Sequence, residues 1–455
     1  MDEPIISLKC YEPAGTSLDF SREDLLGHTL AIGGSGSGKT TRLVYPMVDQ
    51  LIRQKDVPAS LCIMDTKADG SMQAIVETAC SEAGRENDLL VIDGARDTAL
   101  NILNPDIGLD MDRVDALAGL LASSIPSDSL NRFWEQTFEA LLRQALRLHA
   151  FNPKAEPTYT GMVSHLMRYL LLHRIHDPHY LELIKHLSAT RCKHERSHQL
   201  IIDEVIATHQ MWETLDHRTR TNLQSMAASV LAPMNHMVTH RYFAGNNAVD
   251  IGTAMNAGKV VLISMDALRH PECARLLGCI IKGHFYDSVL GETGSRHLKG
   301  LVLDDWPIAV TAGRSNRYSD VEALSMIRSR GGFLIAATQS LAALDVAIGR
   351  PAREAALANF ANLAFFRSRD PEVDALAAAY LGQKKDKLVD VSQTDRPPSP
   401  NRIDYPIRIE RELRVPAVPP GALARLTTGD AYALIGSKAF NEPHCLIPTY
   451  IPQPQ

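Results

Sequence analysis

The sequence predicts an α/β fold: a P-loop nucleotide-binding domain with a mostly parallel central sheet, interrupted by an all-helical inserted domain. Three observations carry this. Strand-length apolar runs that end in an acid, Leu61–Met64 before Asp65 and Leu89–Ile92 before Asp93, alternate with helical patterns. A glycine-rich run at Gly33–Thr40 follows an apolar strand, Thr29–Ile32, and precedes a helical pattern, Thr41–Arg53. Between residues 108 and 245 strand-like runs nearly vanish, and apolar residues recur at helical spacing.

Taken in chain order, residues 1–27 read as a short β-rich lead-in. Residues 28–107 read as strand, glycine loop, helix, strand, helix, strand. In 108–245 the helical period is clearest at Phe133, Trp134, Phe138, Leu141, Leu142, Ala145 and Leu148, and again over Met162–Leu172 and Leu223–Leu231. From 246 to 455 the α/β alternation resumes and completes the sheet. It runs through strand Lys259–Ser264, helix Glu272–Val289, strand Gly300–Leu303, helix Asp320–Ser329, strand Gly332–Ala337, strand Leu363–Phe366 and helix Pro371–Leu381. Residues 385–420, charged and proline-rich, read as a loop or tail before a last strand, Ala431–Ile435.

The composition is that of an ordinary globular chain. Of 455 residues, 45% are hydrophobic and 22% charged, with 47 Lys+Arg against 53 Asp+Glu. The resulting net charge of −6 excludes a protein that coats nucleic acid electrostatically and restricts any DNA contact to local loops or a lined channel. Seven cysteines without a CxxC pair argue against a disulfide scaffold and for a reducing compartment. No apolar run approaches the roughly 18–20 residues of a spanning helix, and the N-terminus lacks a signal-peptide core. The expectation is a cytoplasmic protein. Its insertion holds a mildly basic, histidine-rich stretch, with eight of the 17 His between His149 and His198. A solvated face is the plain reading of that stretch, and a nucleic-acid-facing surface the sharper one.

The strongest signal is Gly33-Gly34-Ser35-Gly36-Ser37-Gly38-Lys39-Thr40, a full GxxxxGK(S/T) match followed by Thr41. Glycines let successive backbone N–H groups converge on phosphate, and the helix that follows adds its dipole. Lys39 is expected on the β/γ-phosphates of ATP, and the Thr40 hydroxyl on Mg²⁺. A second carboxylate is needed at the end of a neighbouring strand. Leu301-Val302-Leu303-Asp304-Asp305 supplies it, with Asp304 toward Mg²⁺ and Asp305 placed to polarise an attacking water. Asp65 and Asp93 end strands singly and rank below. The buried run Gly332–Thr338 ends in Gln339, whose amide would face the γ-phosphate. Arg328, with Arg330 as the alternative, is a candidate arginine finger for a neighbouring subunit, although cations at a helix C-terminus have an ordinary explanation. Cys192, His194 and His198 could suggest a metal, but no fourth ligand stands at a suitable spacing. Trp134, with Phe133 and Phe138, reads as core rather than as a base-stacking platform.

In order, the glycine loop, Asp65-Thr66-Lys67, Leu103-Asn104-Pro105, Phe133-Trp134, Asp304-Asp305, the Arg328 segment, Gln339-Ser340, Phe366-Arg-Ser-Arg-Asp370 and Leu381-Gly382 resemble the TraG/TraD-type coupling proteins of conjugative type IV secretion. These stand within the FtsK/HerA group of ring ATPases. The resemblance covers roughly residues 28–437. It implies a RecA-like nucleotide domain, a helical domain inserted after the third strand, a hexameric ring, and ATP-driven movement of DNA or nucleoprotein. The implied partners are non-specifically bound DNA on channel loops, a relaxase, secretion-channel proteins and a membrane-anchor protein, which would bring the chain to the inner membrane. Two features depart from the family: no anchor segment precedes the nucleotide domain, and Asp305 stands where Glu is usual. Two further readings remain open at this stage. One is an ATP-gated binding or adaptor module with weak hydrolysis that recruits secretion substrates. The other is a small-molecule P-loop kinase, in which Gln339 and Arg328 have no natural place.

Overall fold

The computed structural model describes residues 4–449, apart from 56–57, 103–110, 125–131, 157, 191–195, 246, 292–296, 313–318 and 393–406. Leu103-Asn104-Pro105, the Cys192–His194 cluster and the proline run at 397–400 lie outside the described residues.

In chain order the strands are β1 (Ile6–Glu12), β2 (Ser17–Phe20), β3 (Thr29–Ile32), β4 (Ala59–Asp65), β5 (Leu89–Ile92), β6 (Thr98–Leu100), β7 (Asn247–Val249), β8 (Val260–Ser264), β9 (Leu298–Leu303), β10 (Gly332–Thr338), β11 (Asn362–Phe366), β12 (Gln383–Ser392), β13 (Ile407–Pro416), β14 (Asp430–Ile435) and β15 (Lys438–Leu446). The main sheet has 11 strands in the order β2-β1-β15-β14-β11-β3-β10-β9-β4-β8-β5. From β11 to β5 every pairing is parallel. From β11 outward through β14, β15, β1 and β2 every pairing is antiparallel. The lead-in strands are therefore an edge of the same sheet, reached through β15.

The parallel strands are apolar on both faces because helices cover both. Side chains alternate strictly between two cores. Ala31, Leu61, Ile63, Val260, Leu262, Val302, Ile335 and Ala337 face one core, shared with helices Tyr45–Arg53 and Ser71–Ala83. Leu30, Ile32, Cys62, Met64, Val261, Ile263, Leu301, Leu303, Leu334 and Ala336 face the other. There helix Pro271–Leu290 packs on the sheet, and its outer side meets the insertion. Gly283 marks that meeting: a Cβ there would drive into the Leu120 side chain of helix Met111–Ser123. The insertion thus shares one continuous apolar cluster with the sheet face. Its helices include Arg132–Ala150, Tyr159–Leu166, Pro178–Thr190, Arg196–Thr214 and His217–Met234. The chain leaves through β6 and returns through β7, which pair in parallel as a neck. Trp134 is partly buried against the cluster and Phe138 lies inside it.

One expectation is overturned. The described residues of 385–420 are largely strand rather than loop or tail: β12 and β13 pair antiparallel in unbroken register from Gln383↔Pro416 to Ser392↔Ile407. The pattern was present as a period of two, Ile407, Ile409, Leu413 and Val415 on one phase of β13. Interleaved charges and flanking prolines obscured it.

Candidate nucleotide site

The glycine loop joins β3 to the helix that begins at Lys39, at the carboxyl edge of the parallel strands. Gly36 and Gly38 have φ of 67° and 99°, which side-chain-bearing residues adopt at a cost. The loop is fastened from three sides. Gly33 N–H donates to Thr338 O at 3.2 Å, Gly34 N–H to Arg367 O at 2.8 Å, and Gly429 N–H to Ser37 O at 2.9 Å. After Lys39 the helix opens with a π turn, Thr40–Val44, in which Tyr45 N–H bonds Thr40 O. Pro46 follows directly and has no N–H to give, so the wide turn relieves a ladder that could not close as an ordinary α-helix.

Lys39 is buried, and its ammonium donates to Gly33 O at 2.5 Å and Gly34 O at 3.0 Å, carbonyls of its own loop. Burial pulls its pKa down to about 8, against the raising effect of Asp304. A phosphate between the loop amides would satisfy that ammonium better than two neutral carbonyls do.

β9 lies one strand beyond β10, and Asp304 and Asp305 follow its last residue. Thr40 Oγ1 donates to Asp304 Oδ1 at 2.7 Å across 264 residues of sequence. Asp304 is buried, and its other oxygen takes an ion pair from Lys67, which also donates to Thr40 Oγ1 at 3.0 Å. A hydroxyl and a carboxylate side by side are hard oxygen ligands suited to Mg²⁺, and here they already share a cation. The donor set therefore fits that metal. Asp305 is half-buried. Burial, and then the neighbouring Asp304, push its carboxyl above the usual range, which suits a group that must accept a proton.

Gln339 is exposed directly after β10, whose Thr338 is in register with Ile32 of β3. It therefore stands beside the loop. Lys39, Thr40, Asp304, Asp305 and Gln339 share one edge of the sheet. Arg328 and Arg330 do not: they occupy a 3₁₀ turn, Arg328–Arg330, that precedes β10. A strand rises roughly 3.3 Å per residue, so the length of β10 separates them from their own loop. Arg328 lies 3.8 Å from Glu23, with its side chain 53% exposed, and Arg330 donates to Leu290 O at 2.7 Å. Neither can serve the loop of the same chain.

Sequence reasoning named no site role for Lys67, Arg367, Arg42 or Thr428. Arg367 and Thr428 both donate to Gly36 O, at 3.4 and 3.3 Å, and Arg42 reaches Leu446 O. Lys67 was legible as a second lysine after an acid-ended strand. The other three contacts come from sheet order and left no local signal.

The family model for the TraM recognition site of TraD and TraG matches residues 315–427, which include Arg328, Gln339 and the β12–β13 hairpin. The type 4 coupling protein DotL of Legionella pneumophila subsp. pneumophila (strain Philadelphia 1) is 31% identical over 144 residues, 30% of this chain. The chain is a relative of the type IV secretion coupling proteins. The stretch matched in DotL is 18% of that protein's length. In fold, the chain is similar to the bacterial conjugative coupling protein TrwBdeltaN70, with a TM-score of 0.68 at 18% identity, over 96% of this chain and 87% of that one. TrwB in complex with ADP and Mg²⁺ matches with a TM-score of 0.66 at 16% identity, over 96% and 87% of the two chains. The fold is TrwB-like, a RecA-like P-loop α/β domain with a large, mostly parallel sheet.

Proposed function

We propose that the chain is an ATP-driven DNA or nucleoprotein translocase, the coupling ATPase of a type IV secretion or conjugation-like system, working as a hexameric ring. The observation that carries this reading is the Thr40–Asp304 hydrogen bond at 2.7 Å beside the buried Lys39, in a coupling-protein fold. Gly33, Gly34, Ser35, Gly36, Ser37, Gly38 and Thr41 supply the loop that wraps the phosphates, and Lys39 leaves its carbonyls for the β/γ oxygens. Thr40 and Asp304 hold Mg²⁺, which when bound offsets phosphate charge. Asp305 orients the attacking water and accepts its proton, and Gln339 contacts the γ-phosphate. Arg328, or failing that Arg330, acts on the nucleotide of an adjacent subunit, since the length of β10 keeps both from their own. We further divide the chain into a lead-in of 1–27, a nucleotide domain of 28–107 and 246–455, and a helical domain of 108–245.

DNA is bound without sequence preference by channel loops, as the overall charge of −6 leaves only local basic groups. Relaxase, channel and anchor proteins are the protein partners. No helix among the described residues is long and apolar enough to cross a membrane. A cytoplasmic location, with approach to the inner membrane through a partner, is part of this proposal. The deciding experiment measures ATPase rate with and without DNA over a salt series. Stimulation by DNA that fades with salt supports translocation. ATP binding with slow, DNA-indifferent turnover supports the adaptor reading instead, which the shorter Asp305 favours.

A further inference from the structure

Lys67 stands where a metal would. It follows β4, whose Met64 is in register with Leu303 of β9, so the turn after Asp65 opens beside Asp304. That turn is shaped locally: Lys67 N–H donates to Asp65 Oδ1 at 3.1 Å, and Ala68 and Gly70 take φ of 50° and 81°. From it the ammonium bridges Thr40 Oγ1 and Asp304 Oδ2, the two groups that would hold Mg²⁺. The side chains are unequal. Asp304 is 2% exposed, whereas Lys67 is 46% exposed. The carboxylate is fixed in the protein, and the ammonium reaches it from the solvent side on a flexible stem.

We propose that Lys67 is a placeholder cation. It neutralises Asp304 while no metal is bound, and it is displaced when the metal arrives with nucleotide. The inference rests on the nucleotide-site reading above. A buried carboxylate left unpaired next to the glycine loop would repel a triphosphate and carry a desolvation cost. Lys67 removes both penalties. The ammonium takes the Thr40 Oγ1 lone pair that a divalent ion would use, and two cations on one carboxylate–hydroxyl pair repel, so each binds at the other's expense. Two consequences follow: the loop accepts nucleotide without metal, and the nucleotide-free protein resists free divalent ions.

The test is nucleotide affinity of the full chain and of Lys67→Ala, titrated with a fluorescent ATP analogue in Mg²⁺ and again in EDTA. One charge-assisted contact corresponds to roughly tenfold or more. Lys67→Ala should therefore weaken binding in EDTA by at least about tenfold and change binding in Mg²⁺ by less than about threefold. In parallel, Mn²⁺ without nucleotide, followed by electron paramagnetic resonance, should bind the variant more tightly. Melting temperatures of both proteins, read in the same two buffers, check that the variant is folded under the conditions of the titration. Equal losses in Mg²⁺ and EDTA would mean that Lys67 merely props the site, and unchanged affinity in both buffers with Mn²⁺ bound no more tightly than by the parent would mean that it does not compete with metal. Either result overturns the proposal and leaves the nucleotide site standing. Absence of nucleotide binding by both proteins overturns the two together.

Discussion

The carboxyl edge of the sheet and the core of the helical insertion both bury polar side chains, and they do so in opposite ways. At the edge the buried groups are Lys39, held by open loop backbone, and Asp304, held by Thr40 and by the half-exposed Lys67. In the insertion, beside Arg147 paired with Asp115 and Glu204, they are mainly histidines and tyrosines. His165 donates from Nε2 to Ala145 O at 2.8 Å and lies 3.3 Å from the Tyr180 hydroxyl, and the Tyr169 hydroxyl lies 3.0 Å from His209 Nδ1. Burial, reinforced by His149, His179 and Arg168, pulls the pKa of His165 down to about 3, and burial also lowers His149 and His209. These insertion groups pair with one another and with backbone, and burial favours the neutral form of His149, His165 and His209. The edge keeps charge in a low-dielectric setting where an anionic ligand can complete the pairing. That contrast separates a structural polar core from one built to bind.

The largest effects should come from the edge. Lys39→Ala should reduce ATP hydrolysis at least about 10²-fold, the scale of losing a preorganised charge, with the circular dichroism spectrum unchanged. Turnover near the parent rate would dissolve the contrast. Asp305→Asn should lower turnover by roughly 10²–10⁴-fold with nucleotide binding kept. Equal rates for variant and parent would move the catalytic carboxylate elsewhere. Arg328→Ala alone should be slow, yet mixed with Lys39→Ala subunits it should recover part of the activity, because some interfaces then pair an intact loop with an intact arginine. Mixed rings that form but stay inactive would remove the trans role.

The smallest effect concerns the insertion. His165 has its folded pKa below its unfolded value of about 6.5, so its stabilising contribution is complete above that value and is lost as pH falls toward 3. Between pH 7 and 5 the loss is about 2 kcal/mol for this residue. Urea unfolding followed by the fluorescence of Trp212, buried in the insertion, should show that slope, and His165→Leu should flatten it. An identical slope in the variant would mean that the histidine is not buried neutral.

The parallel sheet and the loop are legible in the sequence because both are written locally: apolar runs ending in acids, and eight consecutive residues of the phosphate motif. Asp304 and Asp305 after an apolar strand are likewise a local pattern, and the fold sets Asp304 beside Thr40. The β12–β13 hairpin, where charges overlay the period of two, was not legible there, nor was the order of the antiparallel edge. Arg367, Thr428 and Gly429 escaped for one reason. Their role depends on β11 and β14 being neighbours of β3, and pairing between strands is a property of the whole chain rather than of a window. Arg328 reads in the sequence as a finger for a neighbouring subunit, and the topology sets it at the far end of β10 from its own loop.

The fastening of the loop by the chain's last described strands carries a consequence for biosynthesis. Thr428 and Gly429 bond to Gly36 O and Ser37 O, and Thr449 N–H donates to Thr41 O. The span from Gly36 to Thr428 is 392 residues. At about 5–20 residues per second, the ribosome exposes the phosphate motif roughly 20–80 s before its clasp exists. During that interval a nascent chain has the motif without the cradle. The loop conformation held by these bonds therefore forms only after Thr428 and Gly429 have been synthesised.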